Sequence, residues 1–164
     1  MRTGKRLAFA ALMAGAAAAA PAARIDPATI VGLHNVERAA VGAPPIAWDP
    51  ALAASAAGWA RVQARAGRIW HDPDNRTSGE NIWMGTRGAY TLTEMIGGWS
   101  EEKAALPSMD RWLEVHPAAS HYTQMIWAKT TRVGCALAAD RASEFLVCRY
   151  GPPGNTVGRH PLDR

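Results

Sequence analysis

Runs of charge, long apolar segments beyond the N-terminus and the common catalytic signatures are all missing from this chain. Lysine and arginine are scattered, with no stretch of five or more, which leaves no footprint for nucleic acid or for an anionic membrane. Past residue 22 nothing approaches the roughly 20 apolar residues that a helix needs to cross a bilayer, so no stable membrane span is expected. There is no G-x-S-x-G elbow, no H-E-x-x-H, no P-loop and no G-x-G-x-x-G, so most enzyme templates fail and no catalytic residue is assigned. Cysteine occurs twice, too seldom for a structural zinc cage. What is present, 48% hydrophobic and 20% charged residues in a chain of 164, is the composition of one folded domain and not of a disordered chain.

The N-terminus is a different object from the rest. A basic head (Arg2, Lys5, Arg6) precedes an apolar run from Leu7 to Ala20, and Ala20-Pro21-Ala22 supplies an A-x-A site. This is the order of a cleavable secretory signal over residues 1–22, leaving a single domain over 23–164. Cutting after Ala22 removes three of the 18 basic side chains and none of the 14 acidic ones, so the formal charge falls from +4 to +1. The predicted location is secreted or periplasmic, and the Ala-, Arg- and Gly-rich usage suggests a bacterial source. Cys135 and Cys148 would then meet an oxidising compartment, where a disulfide is expected over two buried thiols.

Asp26-Pro27-Ala28 and Asp49-Pro50-Ala51 each combine a capping carboxylate with proline in the first helical turn, and both predict helix starts. The first helix carries Ile30, Leu33, Val36 and Ala40 at helical spacing and stops at Gly42. The second runs to Ala66 before Gly67, with a small-residue stripe of Ala53, Ala56, Ala60 and Ala64. Thr91-Leu92-Thr93-Glu94 matches a capping box, opening a third helix that should end near Leu106 and Pro107. At about 100 degrees per residue, Met95, Trp99 and Leu106 share an arc with Glu102 at its centre, while Glu101 points away. A carboxylate centred on an apolar stripe needs a partner. Thr130–Ala139 and Ser143–Tyr150 read as two strands of a hairpin in which Cys135 faces Cys148, Val133 faces Tyr150 and Leu137 faces Leu146. Leu106–Ser120 is the longest expected loop. Helices around a few strands, without regular alternation, favour an α+β or layered α/β/α domain.

Five histidines are candidates for chemistry. His34 reads as a partly buried helix histidine bonded to a neighbour, and His116 and His160 sit beside prolines in exposed loops. His71 follows the strand-like Arg68-Ile69-Trp70, and His121 opens a helical run with Gln124, Met125 and Ala128 on its face. On periodicity alone both are structural, and Glu80 is a solvated loop carboxylate after a turn-rich stretch.

Gly79-Glu80-Asn81-Ile82-Trp83, Trp99-Ser100-Glu101-Glu102-Lys103, His121-Tyr122-Thr123-Gln124 with Trp127, Val133-Gly134-Cys135-Ala136 and Cys148-Arg149-Tyr150-Gly151-Pro152-Pro153-Gly154-Asn155 stand in one order and spacing. Together with His34-Asn35, Arg38, Gly42 and Trp48, they resemble the CAP superfamily: cysteine-rich secretory proteins, antigen 5 and pathogenesis-related proteins. The resemblance covers residues 28–160. It implies an extracellular three-layer α/β/α sandwich with a small, mostly antiparallel central sheet. It also implies a cleft formed by His71, Glu80, Glu102 and His121 that holds a divalent cation, often zinc, with a lipid, sterol, peptide or protein ligand. The same residues would serve a metal-dependent hydrolase, or a hydrogen-bonded network with no ligand at all. Ser120 stands where a glycine commonly precedes the His-Tyr-Thr-Gln motif, and Ala104–Ser120 departs from the family pattern.

Overall fold

The computed structural model describes residues 24–106 and 117–163; the leader at 1–22 and His116 lie outside the described residues. In chain order the elements are α1 (Pro27–Ala40), β1 (Ala47–Trp48), α2 (Pro50–Ala66), β2 (Gly79–Thr86), α3 (Leu92–Glu101) with a 3-10 turn Glu102–Ala105, α4 (Ser120–Ile126), β3 (Arg132–Ala139) and β4 (Ser143–Gly151). Local chemistry sets the helix starts. Asp26 accepts from the amides of Ala28 and Thr29 and Asp49 from those of Ala51 and Leu52, while Thr91 and Glu94 cap each other reciprocally. Gly67 ends α2 at φ 64°, the left-handed conformation that glycine adopts without a Cβ penalty.

The four strands form one sheet in the order β1-β3-β4-β2. β1 runs parallel to β3 and the other two pairings are antiparallel. In the β3–β4 hairpin Cys135 pairs with Cys148, Val133 with Tyr150 and Leu137 with Leu146, and the two cysteines are joined in a disulfide. Side chains leave opposite faces of each strand in turn, giving two cores. On one face Cys135, Leu146, Cys148 and Tyr150 pack with Ile30 of α1, Met95, Ile96 and Trp99 of α3 and Met125 of α4. On the other face Ala136, Val147 and Ile82 meet Ala56 and Ala60 of α2. The alanine stripe lets this helix lie close. At Gly134 a Cβ would drive into the backbone of Ala53 and Asp49, so the N-terminal turns of α2 rest on β3 itself. The result is the three-layer sandwich.

Several details depart from the sequence reading. The buried stripe of α1 is Ile30, His34 and Arg38, whereas Val36 is 68% exposed; polar partners and not hydrophobicity decide which face turns inward. Residues 68–70 form no strand. The Trp70 carbonyl accepts instead from Trp59 Nε1 and Gln63 Nε2, and the Arg68 guanidinium lies 4.6 Å over the Trp70 ring. Glu80, read as a solvated loop carboxylate, lies in strand β2 with its side chain 5% exposed. The helical part of α3 stops at Glu101, and Glu102 belongs to the tighter turn that follows. His160 is half-buried, with Nδ1 accepting from the Leu162 amide.

Arg38 fastens α1 to the end of α4. Its guanidinium is fully buried and donates to the carbonyls of Pro44, Met125, Trp127 and Thr130 at 2.6–2.9 Å. Burial pulls its pKa down to about 10, which leaves it charged at neutral pH. An Arg38→Met substitution keeps the stem but strips four carbonyls of their donor, and unfolding in denaturant should show a loss of about 3 kcal/mol or more. A loss below about 1 kcal/mol, the yield of one ordinary hydrogen bond, would show that Arg38 is not the fastening.

Candidate functional site

His121 is the second residue of α4, and Glu102 stands across from it. Nδ1 of His121 lies 2.5 Å from Glu102 Oε1, while Glu102 Oε2 accepts from the backbone amides of His121 at 2.9 Å and Tyr122 at 3.3 Å. One carboxylate thus answers the free amides at a helix start and holds the imidazole. The ring stacks on Trp99, centroids 5.7 Å apart and planes 19° from parallel. Glu101 is exposed, as the helical arc predicts, so the carboxylate in the apolar stripe is the one with a partner.

His71 has an analogous arrangement on the other side of β2. Its Nδ1 lies 2.7 Å from Glu80 Oε1, which also accepts from the Asp72 amide at 3.1 Å. The Glu80 side chain is 5% exposed and that of His71 66%, so a buried carboxylate underlies an imidazole open to solvent. Beneath both lies Arg149, 1% exposed. Its Nη2 donates to Asp72 Oδ2 at 2.6 Å, and its Nη1 lies 3.1 Å from Glu80 Oε2, at ion-pair distance but off the direction of a hydrogen bond. The hydrogen bond to Glu80 raises the His71 pKa above its ordinary value, against an opposing effect of partial burial.

The two pairs are joined through adjacent residues of one strand. Glu80 leaves the α2 side of β2 toward His71; Asn81 leaves the other side, where Nδ2 donates to the His121 carbonyl at 3.1 Å and to the Tyr150 hydroxyl at 3.2 Å. The hydroxyl meets His34 Nε2 at 2.9 Å, and His34 Nδ1 lies 2.8 Å from the Ile30 carbonyl. A carbonyl can only accept, so Nδ1 carries the proton and Tyr150 donates to Nε2. Burial drives the His34 pKa down to about 4 and pushes that of Tyr150 well up, keeping both neutral.

Among the described residues no group of three or more His, Cys, Asp or Glu lies at metal-holding spacing. The four residues form two His–Glu pairs in which each Nδ1 donates to its carboxylate, leaving each Nε2, directed away from its glutamate, as the nitrogen that offers a lone pair. The residues that sequence reasoning passed over are Asp72, Asn81, Arg149 and Tyr150. Asn81 and Arg149 stand only as letters in a motif, Tyr150 as a motif letter and the partner of Val133, and Asp72 in none of the motifs; Asn81 and Tyr150 meet across 69 positions and Asp72 and Arg149 across 77.

A family model described as the cysteine-rich secretory protein family, CAP, matches residues 31–150. The chain belongs to the CAP family. Among relatives, a PR-1 type pathogenesis-related protein of Sambucus nigra is 32% identical over 140 residues, covering 85% of this chain and 83% of its own. Pathogenesis-related protein 1C of Nicotiana tabacum is 33% identical, covering 78% and 76%. Among solved structures, hookworm platelet inhibitor superposes with a TM-score of 0.68 at 22% identity, over 84% of this chain and 75% of that one. The crystal structure of NaASP2 with Zn2+ gives 0.68 at 22% over 84% and 85%. At such identities the structures establish a common CAP fold and nothing finer.

The buried His34 gives this CAP domain a pH-dependent stability. With a folded pKa near 4 and an unfolded value near 6.5, the unfolded chain binds the extra proton between those limits, so stability falls as pH drops through that window and levels off below it. Denaturant unfolding of the native protein at pH 7 and pH 4.5 should show a drop of up to about 3 kcal/mol from this group. In His34→Gln that part of the drop should vanish. Equal drops in both proteins would contradict the assignment.

Proposed function

We propose that this protein is a secreted or periplasmic CAP domain that takes up one divalent cation at His71 and His121, in a cleft shared with an organic ligand: a lipid, sterol or peptide. The observation that carries the reading is the pair of Nδ1–carboxylate contacts, at 2.7 Å for His71 and 2.5 Å for His121. A carboxylate at one ring nitrogen fixes the tautomer and orientation of an imidazole and raises the basicity of the other nitrogen, the usual setting of a metal-ligating histidine. Two imidazoles suit zinc. Glu80 and Glu102 act here from behind the ligands and not as ligands, each already engaged with the Nδ1 of its own histidine. Water or a ligand atom completes the coordination, so the site is open and exchangeable, and folding survives its loss. The Zn2+ of the NaASP2 structure belongs to that protein and is consistent with this reading. Export is supported by the basic and apolar leader and by the Cys135–Cys148 disulfide, a bond typical of oxidising compartments.

The test is a calorimetric zinc titration of untagged protein near neutral pH, repeated on a His71→Ala, His121→Ala double variant, with thermal melting as the folding control. The native protein should bind one zinc and lose affinity toward pH 5, because protons and metal compete for the same nitrogens. The double variant should stay folded and bind at least about tenfold more weakly. A folded double variant with native affinity would place the metal elsewhere.

A further inference from the structure

Far from the histidine pairs, a shallow basin of about 540 Å³ lies between the C-terminal half of α2 and the turn joining β3 to β4. It is lined by the partly buried Ala64 and Ala138, by Ala139, and by the exposed Arg61, Arg65, Arg87 and Arg141. Arg61 and Arg65 are one helical turn apart and so share a face; Arg87 follows β2 and Arg141 sits in the β3–β4 turn. No run of basic residues announces this concentration, because the fold assembles it from three separate segments. None of the four forms an ion pair with a carboxylate among the described residues. The one acidic lining residue, Asp140, is committed to its own turn: Oδ1 accepts from the amides of Ala142 at 2.8 Å and Ser143 at 2.7 Å. Arg87 is tied in place by donating to the Asp140 backbone carbonyl at 3.0 Å. The basin therefore carries a formal charge of +3, while everything beyond residue 22 carries only +1. The excess is local and not a property of a generally basic protein.

We propose that this basin binds a phosphate ester. Guanidinium forks match the terminal oxygens of a phosphate in pairs, a dianion answers the local charge, and the small alanine side chains of the lining leave room for a small organic group beside it. A soluble sugar or glycerol phosphate and a lipid headgroup present the same chemistry. Neither the basin nor its residues touch the histidine pairs, so the proposal stands or falls independently of the cation site.

The probes are glycerol 3-phosphate, followed by amide NMR at about 0.15 M salt, and flotation with phosphatidylcholine vesicles with or without phosphatidic acid. An Arg65→Gln, Arg141→Gln variant is compared with an Arg24→Gln, Arg76→Gln variant of equal charge. The basin pair should weaken binding at least about tenfold, whereas the control pair should change it less than about twofold. Binding of glycerol 3-phosphate identifies a soluble ester, and binding of the phosphatidic acid vesicles alone identifies a headgroup; both carry the proposal. It is overturned if neither probe binds, if the control pair weakens binding as much as the basin pair, or if a DNA duplex binds where both probes fail.

Discussion

A guanidinium enclosed by protein and answered only by carbonyl oxygens sets the layout of this domain. Arg38 reaches from α1 to the last carbonyls of α4 and to Thr130 beyond it. α4 has seven residues, too few to persist as a helix in water on its own propensity. Its two ends are therefore fixed from outside: Arg38 occupies the carbonyls at one end, and Glu102 occupies the amides at the other. His121 stands in that clamped turn, so its position follows from two charged side chains that sequence distance alone would not bring together. Arg38 and His34 both face inward on α1 because each has polar partners there, and this requirement rotates α1 so that Val36 faces solvent.

β2 joins the two halves of the site. Glu80 and Asn81 are consecutive, and the alternation of a strand sends one to each side of the sheet. The carboxylate fixes His71 directly, and the amide holds the backbone of His121 while receiving support from Tyr150 and, behind it, neutral His34. Arg149 supplies the positive charge that makes a nearly buried Glu80 tolerable, and it binds Asp72 as well. The imidazoles are held at Nδ1 by groups anchored in the sheet and in the helix ends, so the protein itself fixes the direction of their outer nitrogens.

Much of the architecture was legible because local chemistry and global packing agree. Aspartate-proline starts, a capping box and the pairing of Cys135 with Cys148 each depend on residues close in sequence or on simple alternation. The wheel separated Glu102 from Glu101 for the same reason: a helix face is a local property. What could not be read was set by distant partners. Strand β2 hides because Glu80 and Asn81, polar residues with little exposure, occupy positions where alternation leads one to expect hydrophobic ones. The inward turn of His34 and Arg38 depends on Tyr150 and on the carbonyls of α4, more than 80 residues away. Arg68-Ile69-Trp70 resembles a strand in composition, yet α2 uses its carbonyl through Trp59 and Gln63 and no ladder forms. Family resemblance pointed to the four candidate residues, but their division into two carboxylate-held imidazoles required coordinates.

The central claim is that two imidazoles, each oriented by its own glutamate, act as one cation site through their outer nitrogens. Nitrogen-15 NMR of the histidine rings during zinc addition tests it most directly, since each ring nitrogen reports its own protonation and ligation. Nε2 of His71 and of His121 should shift together and saturate at one zinc per chain, while both Nδ1 signals stay protonated and hydrogen-bonded and His34 does not respond. A response from only one of the two rings, or zinc uptake that leaves both Nε2 signals unmoved, would contradict it.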